Sequence, residues 1–197
     1  CFFNDEDRNA PFITSEKISF YVGPLINSKG RLDHPEKALN LLVAEDHKTV
    51  FENYSHLEIS NRERKIIQKE VFDGAKKQIL KNMTDDRPLI NIAYDSNWHQ
   101  GVIGIVASKL VETFEVPAVV FTDSEDPQLI KASCRSAGVL NLFEALKSCS
   151  DLFTKFGGHK AAAGLSMPKE NLNEFKARMN EYLSQIPYIE RTVQDQY

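Results

Sequence analysis

Several things are scarce in this 197-residue chain, and each scarcity excludes a class of protein. It has three cysteines, Cys1, Cys134 and Cys149, too few and too scattered for a disulfide framework or a metal knuckle. No run of about 18 apolar residues exists that could cross a membrane. The opening Cys1-Phe2-Phe3-Asn4-Asp5-Glu6-Asp7 lacks the basic start and apolar stretch of a signal peptide. Together these predict a cytoplasmic, reducing setting with no membrane partner. Charge of one sign is lacking too. Lysine and arginine number 24 against 28 acidic residues, a net charge of −4, which excludes a bulk nucleic-acid binder whose whole surface is basic. Up to Arg87 the chain has 14 basic and 15 acidic residues, and beyond it 10 and 13. An anionic ligand therefore needs a local, geometrically specified site.

What is present is a change of grammar along the chain. Residues 1–15 are polar and irregular. The apolar run Ile18–Val22 leads through Gly23-Pro24 into the turn-rich Asn27–Arg31. Asp33 is placed to cap a helix, with Pro35 in its first turn and Ala38, Leu39, Leu41, Leu42 and Val43 as its apolar face. From about Lys48 to Met83 a long charged helix is expected, on the spacing of Ile66, Ile67, Val71, Phe72, Ala75, Ile79, Leu80 and Met83. Arg62, Lys65, Lys69 and Lys76 fall on another face, as a solvated surface or a backbone track. Gly74 is a weak point inside that helix.

After Asp85-Asp86-Arg87-Pro88 the pattern becomes alternating. Strands are expected at 89–94, 117–121, 129–136 and 161–167, and helices at about 101–114, from a capping Asn141, and over Leu172 to Leu183. This predicts an α/β domain from about 88 to 185, behind a mostly helical first part. No internal repeat or low-complexity segment appears.

Four polar clusters interrupt these elements. In Pro24–Arg31, Arg31 follows a glycine in an expected turn, and either grips a phosphate or pairs with a carboxylate. Asn97-Trp98-His99-Gln100-Gly101-Val102-Ile103-Gly104 lies between a strand and a helix, where free N–H groups favour an anion. Its glycines match neither the Walker nor the dinucleotide pattern, and His99 is either a phosphate donor or a core histidine. In Lys131–Ser136, strand alternation puts Ser133 and Arg135 on one face, with an internal carboxylate or a bound phosphate as the arginine's partner. In Phe156–Gly164, paired Gly157 and Gly158 admit a ligand close to the backbone, and His159 is a hydrogen-bond donor, a general acid or a plain turn histidine. No Cys/His ligand spacing, His-Glu-x-x-His or Asp/His cluster suited to two metals is present, nor a nucleophile elbow.

In order, the four clusters resemble the RecJ single-stranded-DNA exonucleases of bacteria, in the DHH/DHHA1 phosphoesterase superfamily. Gly23 to Leu32 is similar to that family's G-P-x-x-N-x-x-G-R segment. Asn97 to Ala107 resembles its W-H-x-G-V-x-G-I-x-A segment, and Ser133–Ser136 and Gly157–His159 resemble the S-x-R-S and G-G-H motifs of the DHHA1 domain. The resemblance runs from about Ile18 to Leu183.

It implies an α/β fold in which a mixed-sheet DHHA1 domain (88–187) follows a mostly helical remnant of a DHH domain (1–60) and a connecting helix and linker (61–87), with a tail at 188–197. It implies part of a metal-dependent 5′-to-3′ exonuclease acting on single-stranded DNA in repair and recombination. The metal ions of that family sit in DHH motifs preceding the Gly-Pro segment. This chain is therefore expected to carry no metal site and to be inactive alone, with Mn or Mg as cofactor of the complete enzyme and the missing DHH domain as a partner.

By position, Ser133, Arg135 and Ser136 are implied to bind the 5′-phosphate, and His159, with Gly157 and Gly158, the phosphate near the scissile bond. Asn27 and Arg31 are implied to face the DNA path, and Trp98 and His99 to contact DNA or set their loop. Two other readings stand beside this one: a DHHA1 protein acting on short oligonucleotides or cyclic dinucleotides, and a non-catalytic interaction module. Exposed apolar surface over residues 18–60, and self-association through it, is a further expectation.

Overall fold

The computed structural model describes residue 2 and residues 9–10, 12–32, 35–83 and 88–193; Asp33 and the Asp85–Arg87 segment lie outside them. The chain forms two compact units, Cys1–Ile67 and Gln68–Tyr197.

The first unit is helical. Thr14 caps a short turn, Ser15–Lys17, which widens into a π-helical turn, Ile18–Val22, and continues as α1, Gly23–Leu32. The Asn27–Arg31 stretch expected as a turn is thus helix. Pro24, which has no N–H to donate, follows the π-helical turn directly as the second residue of α1, and Ser28 turns its hydroxyl inward to donate to the Leu25 carbonyl at 2.6 Å. Helix α2, Glu36–Val43, begins at Pro35, whose carbonyl accepts from Ala38 and Leu39. Asp46 starts α3, His47–Lys81, by accepting from the Thr49 N–H at 2.8 Å. At 35 residues, α3 is about 52 Å long, and it runs past the boundary between the units.

The second unit is built on a five-stranded mixed sheet of order β1-β2-β3-β5-β4: β1 Asn91–Tyr94, β2 Ala118–Asp123, β3 Leu129–Arg135, β4 Lys155–Gly158 and β5 Ala162–Pro168. β1 and β2 are parallel, joined by helix α4, Gln100–Phe114, and all other pairs are antiparallel. Helix α5 is Leu142–Lys147, capped by Asn141 as its spacing to Glu144 predicts, and α6 is Leu172–Ser184.

The two sheet faces differ. One carries Val119, Phe121, Ile130, Ala132, Cys134, Leu165 and Met167 into a core closed by Leu142, Leu146, Phe175, Met179 and Leu183. The other is covered by α4 over β2 and β3, with Val102, Ile103, Val106 and Leu110 buried on that helix.

The open edge of β1 is capped by Gln78 of α3, which donates to the Tyr94 carbonyl at 2.9 Å and accepts its N–H at 3.2 Å. Val71, Phe72, Ala75 and Ile79 are buried, whereas Ile66 and Leu80, expected on the same apolar face, are exposed. The face that α3 buries is therefore narrower than its apolar spacing. Residues 188–193 do not trail free. Glu190 accepts from Val139, Val193 donates to Glu115, and Thr192 is buried.

Candidate nucleic-acid interface

Strand alternation on β3 sends Ile130, Ala132 and Cys134 into the core and leaves Lys131, Ser133 and Arg135 on the opposite face. Pairing sets three rows across that face: Lys155–Ser166–Lys131, Gly157–Gly164–Ser133, and Ala162–Arg135. Past the reach of α4, these rows are floored by glycine, alanine and serine, and Lys155, Gly157 and Gly164 are exposed. The result is a shallow basic strip with backbone within reach of a ligand. The Arg135 guanidinium donates to its neighbour's carbonyl, Cys134 O, at 2.8 Å. Among the described residues, no carboxylate pairs with Lys131, Arg135, Lys155 or Lys160. Directly beneath Arg135, the Cys134 thiol is buried, which pushes its pKa up to about 12 against the opposing pull of the guanidinium. It is an inert core group.

Helix α4 meets this face through Gly104. A methyl group there would lie 3.1 Å from Arg135 Nη2 and 3.3 Å from Ser133 Oγ. The glycine shared by the second cluster thus makes room for the two side chains of the third.

The paired glycines, which precede a strand-like run in the sequence, form the end of a strand of their own, β4. At Gly158 (φ +154) a Cβ would stand 2.5 Å from Ala163 Cα and 2.6 Å from the Ala162 carbonyl, so only glycine closes this hairpin. His159 is exposed. Its N–H donates to Ala162 O at 2.8 Å, and its Nδ1 accepts from the Ala161 N–H at 3.3 Å. An accepting Nδ1 puts the proton of the neutral ring on Nε2, the nitrogen aimed away from the turn. Ser136 donates its hydroxyl to Leu140 O at 2.8 Å and its N–H to Ala161 O at 2.9 Å, tying the end of β3 to the hairpin.

Trp98 and His99 precede α4. His99 caps the helix, Nδ1 accepting from the Gly101 N–H at 3.1 Å, which leaves Nε2 as donor here too. The Trp98 indole lies on α3 at Gly74, whose missing side chain it fills with Cζ2 3.4 Å from where a Cβ would stand. Its carbonyl accepts from Thr122 at 2.5 Å. Gly74 is thus a seat for Trp98 and not a defect of the helix. Asn97, His99, Gln100 and Lys131, together with the carboxylates of Asp123 and Glu125, line a hollow of about 360 Å³ here, and Lys131 Nζ donates to Gln100 Oε1.

The structure thus brings Ser133, Arg135, Gly157 and Gly158 together on one sheet, with Ser136 and His159 at its end. Asn27 and Arg31 belong to the first unit. One helical turn apart on α1, they border a hollow of about 580 Å³ with Ile26, Pro35, Leu39 and Leu42. Burial lowers the pKa of nearby Arg64, and so does the charge of Arg31. Sequence reasoning passed over Lys155 and Ser166, and gave Lys131 no role, although the Lys131-x-Ser133-x-Arg135 alternation contains the signal. Among the described residues, no three His, Cys, Asp or Glu side chains stand close enough to hold a metal ion.

Known proteins resemble this chain in family and fold. The DHHA1 domain family matches residues 88–185. The chain is 34% identical over 166 residues to the single-stranded-DNA-specific exonuclease RecJ of Bacillus subtilis, covering 84% of this chain and 21% of that one. It is 32% identical over 187 residues to that of Escherichia coli, covering 91% of this chain and 32% of that one. The RecJ of Thermus thermophilus in complex with Mg2+ superposes with a TM-score of 0.78 at 29% identity, over 92% of this chain and 28% of that one. A RecJ bound to manganese does so at 0.74 and 30%, over 88% and 42%. The chain spans between a fifth and a third of the length of these curated relatives.

Proposed function

The chain belongs to the RecJ-like DHHA1 proteins, and from that premise we propose that its second unit is the substrate-gripping part of a 5′-to-3′ exonuclease acting on single-stranded DNA in repair and recombination. The observation that carries this reading is Arg135, a guanidinium on an open glycine-floored strip with no carboxylate among the described residues to neutralise it. A charge in that position calls for an anion, and a phosphate oxygen flanked by Ser133 supplies one.

In this reading Ser133 and Arg135 hold the 5′-phosphate, and Ser136 fixes the end of the strand that presents them. Gly157 and Gly158 let the DNA backbone approach. His159 donates from Nε2 to the phosphate near the scissile bond, or serves there as general acid. Trp98 and His99 build the adjoining hollow. Asn27 and Arg31 are assigned to the same substrate through their shared segment. Mn or Mg is the expected cofactor of a complete enzyme. The described residues do not fit such an ion, so the steps assigned to this chain are binding, orientation and proton donation. A cytoplasmic location belongs to the same reading.

The test compares 5′-phosphorylated and 5′-hydroxyl single-stranded oligonucleotides at two salt concentrations, on this chain and on Arg135→Ala. The expected result is a preference for the phosphate of about tenfold or more that the variant loses, since hydrogen bonds to charged groups contribute about 1.5–3 kcal/mol. Equal, negligible binding by both proteins favours an interaction module instead.

A further inference from the structure

The sheet that presents Arg135 presents a second group of cations to which the sequence clusters give no role. Lys131 on β3, Ser166 on β5 and Lys155 on β4 are register partners in one cross-strand row, Lys131 opposite Ser166 and Ser166 opposite Lys155. All three point to the face that carries Ser133 and Arg135. Two strand spacings put the lysine Cα atoms about 10 Å apart, with the serine between them. Long lysine stems close such a gap readily, so both ammonium groups and the hydroxyl can meet on one anion.

Three features make the row a seat and not a solvated edge. Neither lysine has a carboxylate partner among the described residues, and the Ser166 hydroxyl has no hydrogen-bond partner there. Asp123 and Glu125 line the hollow beside Lys131, but Asp123 is engaged by Tyr94, which donates to it at 2.6 Å, and by Lys169, which approaches to 3.8 Å. Lys131 is steadied from the side by Gln100, the first residue of α4. Between this row and Arg135 lies only the Gly157–Gly164–Ser133 row, so nothing stands up from the floor to divide them.

We infer that Lys131, Ser166 and Lys155 form a second phosphate seat, taking a backbone phosphate of the same single strand whose 5′ end Arg135 holds. The inference rests on the reading of Arg135 above. The two seats are four residues apart along β3, about 13 Å, so a strand must continue beyond its first nucleotides to occupy both. A lysine pair holds phosphate as point charges and is indifferent to base, which suits a strip that follows a backbone.

The test uses 5′-phosphorylated oligothymidylates of two and eight nucleotides with the wild-type chain, Lys131→Met, Lys155→Met, the double variant, its Lys→Arg counterpart and Arg135→Ala. Methionine keeps the stem and removes the charge, and thermal unfolding confirms that each variant is folded. For the octamer, the double methionine variant is expected to lose about tenfold in affinity, and the slope of log affinity against log salt to fall by about 0.7 for each lysine removed. The dinucleotide should be affected less than twofold, and the arginine variant should restore the octamer slope. Unchanged octamer affinity and slope in the double variant, with Arg135→Ala still impaired, overturn the second seat alone. If Arg135→Ala also binds like wild type, the reading beneath it fails as well.

Discussion

The two units of this chain spend their apolar residues in opposite ways. In the second, a continuous core runs from Ile90 and Phe121 to Phe175 and Leu183, and aromatic rings meet edge to face within it, Phe121 and Phe175 at 5.5 Å. In the first, the buried hydrophobic residues among those described are Ala38, Leu41 and Leu57. Phe20 (77%), Phe51 (67%) and Leu42 (61%) are among those left exposed. Helical spacing of apolar residues was equally visible in both. A spacing states that a helix has an apolar face, but not that the face has been given something to cover. The second unit has what a self-standing domain needs, and the first has apolar surface in search of a neighbour.

The sharpest way to break that comparison is Phe175→Ala. This ring is fully buried and touches Phe121 and Phe153. Removing it is expected to cost about 3–5 kcal/mol of second-unit stability, read from urea unfolding followed by the fluorescence of Trp98, the chain's single tryptophan. A loss below about 1 kcal/mol would mean that the core is looser than its burial implies.

Most of the second unit was legible because its elements announce themselves locally. Asn141 with Glu144, the β-branched run of β2 and the alternation of β3 each state a structure within a few residues. Two features were not local. The Asn27–Arg31 stretch reads as a turn by composition, yet it is helix, held by the inward hydrogen bond of Ser28 and its burial near Leu57. Gly74 reads as a flaw, and only the distant Trp98 indole explains it. The placing of the candidate residues was legible in the same measure. Ser133, Arg135 and the paired glycines are adjacent in sequence or share a strand face. The Lys155–Ser166–Lys131 row needs the register of three strands, which no single stretch of sequence contains.

A milder change probes whether the strip is separable from the core. Gly104→Ala places a methyl group 3.1 Å from the Arg135 guanidinium and 3.3 Å from Ser133 Oγ. Within a helix, alanine is more favourable than glycine by about 1 kcal/mol, so stability should hold or rise. Affinity for a 5′-phosphorylated oligonucleotide should nevertheless fall about threefold to tenfold as the arginine is displaced, a change of about 1 kcal/mol. Parallel loss of stability and binding would show instead that Gly104 serves the packing of α4.

The smallest expected effect on stability belongs to the first unit. Phe20→Ser, Phe51→Ser and Leu42→Ser each remove a side chain more than half exposed, so each should change unfolding free energy by no more than about 0.5 kcal/mol. Their effect should appear in association, because apolar surface open to water is relieved when two molecules bury it together. Sedimentation velocity across a concentration series should show self-association that the triple variant reduces. Val139→Ser and Ile189→Ser, exposed to a similar degree in the second unit, should leave it unchanged. Equal effects from both sets would make association a general matter of surface hydrophobicity. A monomeric wild-type chain would mean that exposed apolar area in the first unit is tolerated without any partner.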